Sequence, residues 1–189
     1  NLLKRLRTNR KLISRSENLN FTLQKRPGIY RIDTKNVIDR FKEIRSEELK
    51  EFFQKIPFVF STALFPKEHI ENENKEFYYG IGVEEEFAGV LDIKESEYVH
   101  YYPEQLCLYM CVPSRSSQIL TYEVLQPAFD YMEKNNLQLA GDVISQVVSM
   151  WKPEEYFNYH NIWIPSNKKA ISTEIAFYLV LCNDFLRIE

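Results

Sequence analysis

Residues 119–136 read ILTYEVLQPAFDYMEKNN, and what this stretch can form decides the fold. Leu120, Val124, Leu125, Ala128, Phe129 and Met132 recur three and four residues apart, which gathers them on one face of a helix spanning 119–134. Pro127 has no amide hydrogen to give that helix, so the pattern predicts either a kink or a later start. Asn135-Asn136 ends it, because asparagine tolerates the left-handed backbone that closes helices. One apolar helix face must be buried against something, and the flanking segments are strands.

Downstream, 143–151 is a strand that Pro153 stops, and 156–164 is a last strand before Pro165. Upstream, 98–112 is extended and interrupted at Pro103. The same order occurs earlier in the chain. Residues 21–32 (FTLQKRPGIYRI) form a strand pair, or one strand broken at Pro27-Gly28. Residues 46–56 (SEELKEFFQKI) start on Ser46 as an N-cap, carry glutamates in the first turn, and set Leu49, Phe52, Phe53 and Ile56 at helical spacing. Strands follow at 58–65, closed by Pro66, and at 76–84, closed by Glu84-Glu85-Glu86. The expected fold is therefore α+β, from two pseudo-repeated strand–helix–strand–strand units at about 21–86 and 97–165, joined by a connector at 87–97. Neither unit can bury a sheet face alone, so the helices should share one side of a joint sheet, with a ligand cleft between the halves. Residues 166–189 are left as a C-terminal extension.

Composition limits the function classes. At 189 residues, 44% hydrophobic and 27% charged, the chain is an ordinary folded domain and not a disordered one. Its longest apolar run, 175–182, is well short of the ~18 residues needed to cross a bilayer. The basic start, NLLKRLR, lacks the apolar core of a signal peptide, which predicts a cytoplasmic protein without membrane contact. The chain opens without Met, as a piece of something longer would. Cys107, Cys111 and Cys182 make no CxxC and have no histidine partner, so they read as buried thiols, with no metal and no cofactor expected. Aromatics reach 14% with only five glycines, which fits an aromatic core or an aromatic-lined pocket.

Charge is divided unevenly, with a net +7 in residues 1–27 and −10 in the rest. A basic arm can bind phosphates. Leu2, Leu3, Leu6 and Ile13 interleave with its cations, however, and the aromatic residues of a single-strand binder are missing. The arm therefore reads as the tail of an amphipathic helix whose partner lies elsewhere. No Gly-rich phosphate loop, HExxH or GxSxG occurs. His69 in a polar loop, His100 on an edge segment and His160 on a core side read as structural, and Glu84–Glu86 as a solvated strand end.

Residues 122–141, followed by Asn161-Ile-Trp-Ile-Pro165, resemble the GyrI-like effector-binding domain, the ligand sensor of MerR-type and some AraC-type bacterial transcription regulators. That family has an amphipathic helix ending in an "ENG"-like turn, a short strand leading through a glycine, and a final strand reading Glu-Ile-Trp-Ile-Pro. The resemblance spans 21–165, with its specific motifs in the second half, and 1–20 resembles the end of the linker or dimerisation helix. It implies a non-enzymatic, multidrug-binding type of sensor for a small aromatic or cationic lipophilic effector. DNA would be contacted only through a DNA-binding domain outside this chain, in a homodimer. By strand alternation Tyr159, Asn161 and Trp163 share one face and His160, Ile162 and Ile164 the other. The family pattern makes the first set the cleft face. The same register turns Tyr78, Gly80 and Gly82 to the cleft and Tyr79, Ile81 and Val83 to the helices. The expected ligand-binding residues are Tyr78, Gly80, Tyr159, Asn161 and Trp163, with the glycines leaving room for a ring. Asn161 stands where the family has an acid, so only a modest preference for cations is expected unless Glu84, Glu86 or another acid reaches in. The alternative implied function is a small-molecule hydrolase on the same fold, with a cleft Tyr and Glu. Asn161 weakens it, because asparagine cannot act as a general base.

Overall fold

Pro127 makes the second-half helix start late. Tyr122–Leu125 forms a 3-10 turn, and the α-helix runs Gln126–Lys134 with Pro127 in its first turn, where a missing amide hydrogen removes no helical bond. Asn136 follows at φ 55°, the left-handed closure that its side chain tolerates. The computed structural model describes residues 21–36, 47–115, 120–151 and 157–168. The predicted helix tail at 1–20, the N-cap Ser46 and most of the extension, 169–189, lie outside the described residues.

The strands are β1 (Thr22–Arg26), β2 (Ile29–Asn36), β3 (Val59–Phe65), β4 (Tyr78–Glu84), β5 (Val99–Tyr102), β6 (Gln105–Arg115), β7 (Leu137–Leu139), β8 (Val143–Trp151) and β9 (Phe157–Lys168). The helices are α1 (Glu47–Gln54), α2 (Lys67–Glu71), α3 (Glu85–Ala88) and α4 (Gln126–Lys134). All described pairings are antiparallel, in the order β1-β6-β9-β8-β3-β4-β2-β5, with β7 added along β9. An antiparallel sheet with a few helices is the α+β class expected.

Three local expectations need correction. Residues on either side of Pro27-Gly28 form two strands that do not pair with each other: β1 joins β6, while β2 lies between β4 and β5. Pro165 does not end the last strand. It lies opposite Cys107, its carbonyl accepts from the Ala140 amide at 2.8 Å, and β9 continues to Lys168 along β7. Proline lost no bond there because the group the ladder uses is its oxygen. Residues 166–168 thus belong to the sheet and not to an extension. His69 sits on α2 and not in a loop, with Nδ1 3.0 Å from the Glu76 carbonyl. The acidic run closes β4 at Glu84 as expected, with Glu85 and Glu86 exposed at the start of α3, their charge suiting a helix N-terminus.

Every helix among the described residues packs on one sheet face. Ala128 and Met132 of α4 bury against Leu108, Met110, Ile162 and Ile164, with Ile70 of α2 beside them. Phe52 of α1 and Ala88 of α3 bury against Ile32, Ile81 and Val83. Each such large apolar side chain contributes ~1.5–3 kcal/mol by leaving water. The other face forms its own clusters, one of Ile29, Leu64 and Ile144, the other of Cys107, Tyr109, Cys111 and Trp163.

The sheet cannot be flat. β1 and β2 are six strand steps apart in the order, ~29 Å in a flat sheet at ~4.8 Å per step. Only Pro27 and Gly28 join them, a link of at most ~11 Å. Pro103 and Glu104 likewise join β5, at one end of the order, to β6 near the other. The sheet therefore curls until these links meet. Among the described residues no helix covers the other face, which the curl turns inward, and there Tyr102 of β5 packs near Ile29, Leu64 and Ile144.

Candidate functional site on the helix-free face

Register fixes which residues share the inner face, since residues directly opposite in a ladder point the same way. One transverse row runs Tyr109, Trp163, Ile144, Leu64, Tyr78 across β6, β9, β8, β3 and β4. The next runs Cys111, Asn161, Gln146, Thr62, Gly80, Asp33, ending on β2. A third contains Tyr159 on β9, with Phe60, Gly82 and Arg31 in line on β3, β4 and β2. Tyr78 and Gly80 on β4, and Tyr159, Asn161 and Trp163 on β9, therefore lie on one face, three strand steps apart. Those steps amount to ~14 Å before the curl shortens them. Tyr79, Ile81, Val83, His160, Ile162 and Ile164 turn to the helix side.

Around Asn161 the site is aromatic and nearly dry. Asn161 is 8% exposed and Trp163 6% exposed, while Tyr159 and Tyr78 are half-buried. The Tyr109 hydroxyl donates to Asn161 Oδ1 at 2.7 Å, which satisfies a carbonyl that burial would otherwise penalise. The Tyr109 and Trp163 rings lie 6.0 Å apart at 49°, in the tilted arrangement that aromatic quadrupoles favour. Burial pushes the Cys107 and Cys111 thiols up to about 11, so neither is a nucleophile at neutral pH.

The β2–β4 side carries charge that sequence reading did not assign. Arg31 has a fully buried side chain whose Nη1 ion-pairs with Asp33. Its Nε donates to Thr62 Oγ1 at 2.8 Å and its Nη2 to the Tyr78 carbonyl at 2.7 Å. The guanidinium lies over Gly80, where a Cβ would stand 2.7 Å from Nη2 and 2.5 Å from the Ile32 carbonyl oxygen. A Cβ at Gly82 would meet Phe60, Thr62 and Ile29 at 3.0–3.2 Å. The room expected above the two glycines is thus filled by the chain's own side chains. Arg31 and Asp33 alternate along one strand, which always places two residues on one face. That alternation is present in the stretch IYRID at 29–33.

Arg26, at the end of β1, is the second buried guanidinium on this face, 2% exposed. Its Nη2 donates to the Pro103 carbonyl at 2.8 Å and its Nε has no hydrogen-bond partner. Burial holds it below the usual arginine range, opposed by attraction from Cys107, Tyr102, Asp142 and Tyr101. The expected acids Glu84 and Glu86 lie at the strand end and in α3, and among the described residues it is Asp33 that reaches this face and pairs with Arg31.

No family model matches the chain, and no curated protein matches it. Among solved structures it is similar to EcmrR in a cryo-EM structure of an EcmrR–DNA complex within EcmrR-RPo, with a TM-score of 0.52 and 14% identity. That match covers 86% of this chain and 64% of the other, so the chain spans somewhat under two thirds of EcmrR's length there. A crystal structure of the EcmrR C-terminal domain aligns with a TM-score of 0.47 and 14% identity, over 80% of this chain and 99% of that one. At such identity the first likeness shows a shared fold.

Proposed function

We propose that the chain is the effector-binding domain of a bacterial transcription regulator, of the GyrI-like, MerR-type kind, and that it binds a small aromatic molecule against the inner sheet face. The observation that carries this is the aromatic and polar lining around Trp163, Tyr109, Asn161, Tyr159 and Tyr78, set on one face across the middle of the sheet. The strand order supports two related halves meeting there. It reads β2-β4-β3 and then β8-β9-β6, the same unit mirrored about the β3–β8 pair, with α1 over one half and α4 over the other. The fold shared with EcmrR, a protein seen bound to DNA, supports the regulator reading. DNA contact and dimerisation belong in this reading to other parts of the regulator, which acts in the cytoplasm. Ligand binding would act by favouring one placement of the sensor over another.

Of the two ligand types expected, aromatic and cationic lipophilic, the lining favours the aromatic, because a cation would compete with Arg31 for Asp33. Gly80 serves the site by seating Arg31. The hydrolase alternative gains nothing: Asn161 is a hydrogen-bond acceptor for Tyr109, and the Ser114–His160 contact lies on the helix side of the sheet.

Titrating a neutral probe, 2-naphthamide, into the Trp151→Phe background while following the fluorescence of Trp163 tests the reading. A saturable change is expected. Trp163→Ala, followed by calorimetry, should weaken binding by about 2 kcal/mol, ~30-fold, through lost stacking and burial. Unchanged affinity in that variant would remove Trp163 and its face from the site.

A further inference from the structure

We infer that the ligand of this face is a carboxylate-bearing aromatic molecule, whose anionic group pairs with the Nε–H of Arg26. The inference deepens the effector-binding reading and rests on it. A buried guanidinium is stable only with counter-charge and with acceptors for its five N–H groups. Arg31 meets that requirement within the chain through Asp33, Thr62 and the Tyr78 carbonyl. Arg26 does not. Among the described residues no carboxylate stands within ion-pair distance of it, its charge meets the Pro103 carbonyl, and its buried Nε donates to nothing. Asp142 attracts it from farther off, with Oδ1 already accepting from the Lys67 amide at 2.8 Å.

Position supplies the second half of the argument. Arg26 borders Cys107, whose thiol its backbone contacts, and Cys107 packs in one cluster with Tyr109 and Trp163. A flat molecule lying along those rings would bring a substituent at its end to the guanidinium. Among the described residues the two buried guanidiniums of the face meet one contacting carboxylate, Asp33 beside Arg31, so their balance is cationic. Planar carboxylate matches the guanidinium fork, whereas a tetrahedral dianion would call for more donors than one free Nε–H.

The test is a charge series on one ring system: 2-naphthoate, 2-naphthamide, 2-naphthylmethylamine and 2-naphthyl phosphate, each titrated by calorimetry into the whole chain. The carboxylate is expected to bind at least ten times more tightly than the amide, and the amine more weakly than the amide. Arg26→Gln should remove most of the carboxylate's advantage over the amide. Asn161→Asp, which adds a negative charge to the face, should lower carboxylate affinity by tenfold or more, and it keeps the proposal testable if the Arg26 variant does not fold. Equal binding of carboxylate and amide, tighter binding of the amine, or tighter binding of the phosphate than the carboxylate each overturns the assignment while the aromatic site stands. Absence of binding by all four probes overturns the effector-binding reading with it.

Discussion

At Gly80 the chain needs hydrogen in place of a side chain because Arg31 and a strand carbonyl occupy the space above it. Gly80→Ala would press a methyl onto the Ile32 carbonyl, a backbone atom that cannot step aside, so a loss of ~1–3 kcal/mol is expected in urea unfolding. A neutral effect would mean that Arg31 is not packed as described. His160 gives a second residue-scale outcome. It is 4% exposed on the helix side, Nε2 lies 3.0 Å from Ser114 Oγ, and burial pushes its pKa down to about 4. In the unfolded chain the group titrates near ~6.5. Between those values the unfolded state holds the extra proton, so stability should fall as pH drops below ~6.5, by about 2 kcal/mol on reaching pH ~5. Comparing wild type with His160→Gln by urea unfolding at both pH values isolates this slope, which the variant should lack. Of the expected site, strand parity made the facing of Tyr159, Asn161 and Trp163 legible. The Tyr109 hydroxyl on Asn161 was not, since Tyr109 and Asn161 are 52 positions apart and meet only through the β6–β9 register.

Punctuation worked at the scale of elements where a residue's own chemistry was decisive. Pro127 set the start of α4 and Asn136 its end, because a ring nitrogen and a φ of 55° act within one residue. Asn136→Gly should therefore raise stability by about 0.5 kcal/mol and Asn136→Val lower it by about 1 kcal/mol, both measured by thermal or urea unfolding. The reverse order would show that the Asn136 side chain matters more than its backbone. The expected strand end at Pro165 fails because the effect of a proline there depends on its neighbours. A proline ends a strand only when a partner needs its N–H, and here Ala140 uses the carbonyl. The same neighbours extend β9 to Lys168 and give β7, three residues long, a ladder that its own sequence does not announce.

Across the whole molecule, folding draws on part of the basic start. Within residues 1–27, Lys25 pairs with Glu104 at 2.7 Å and Arg26 is buried, so two of that segment's cations serve the sheet. With the rest of the chain at −10, random duplex DNA should bind this chain weakly, with a Kd above ~10 μM at moderate salt. Fluorescence anisotropy at low and moderate salt measures it. Tight binding with a steep salt dependence would restore the reading of the arm as a phosphate binder.

Local chemistry alone determined most of the elements, their alternation of faces and the side of the sheet that carries Trp163. Each of those depends on a period of two or of 3.6 residues, or on one proline or asparagine, all properties of neighbours along the chain. Tertiary structure alone decided the strand order, the curl and the charge of the inner face. Pro27-Gly28 reads as a turn between partners, yet it carries the chain from one end of the sheet to the other. The choice is made by which edges of the two halves remain to be paired, and an edge has no signature in the residues that will cover it. Arg26 and Arg31 are surface-type residues by composition. They lie inside because a curled sheet has an interior on the face that the described helices leave open, and that closure exists only once all the strands are paired.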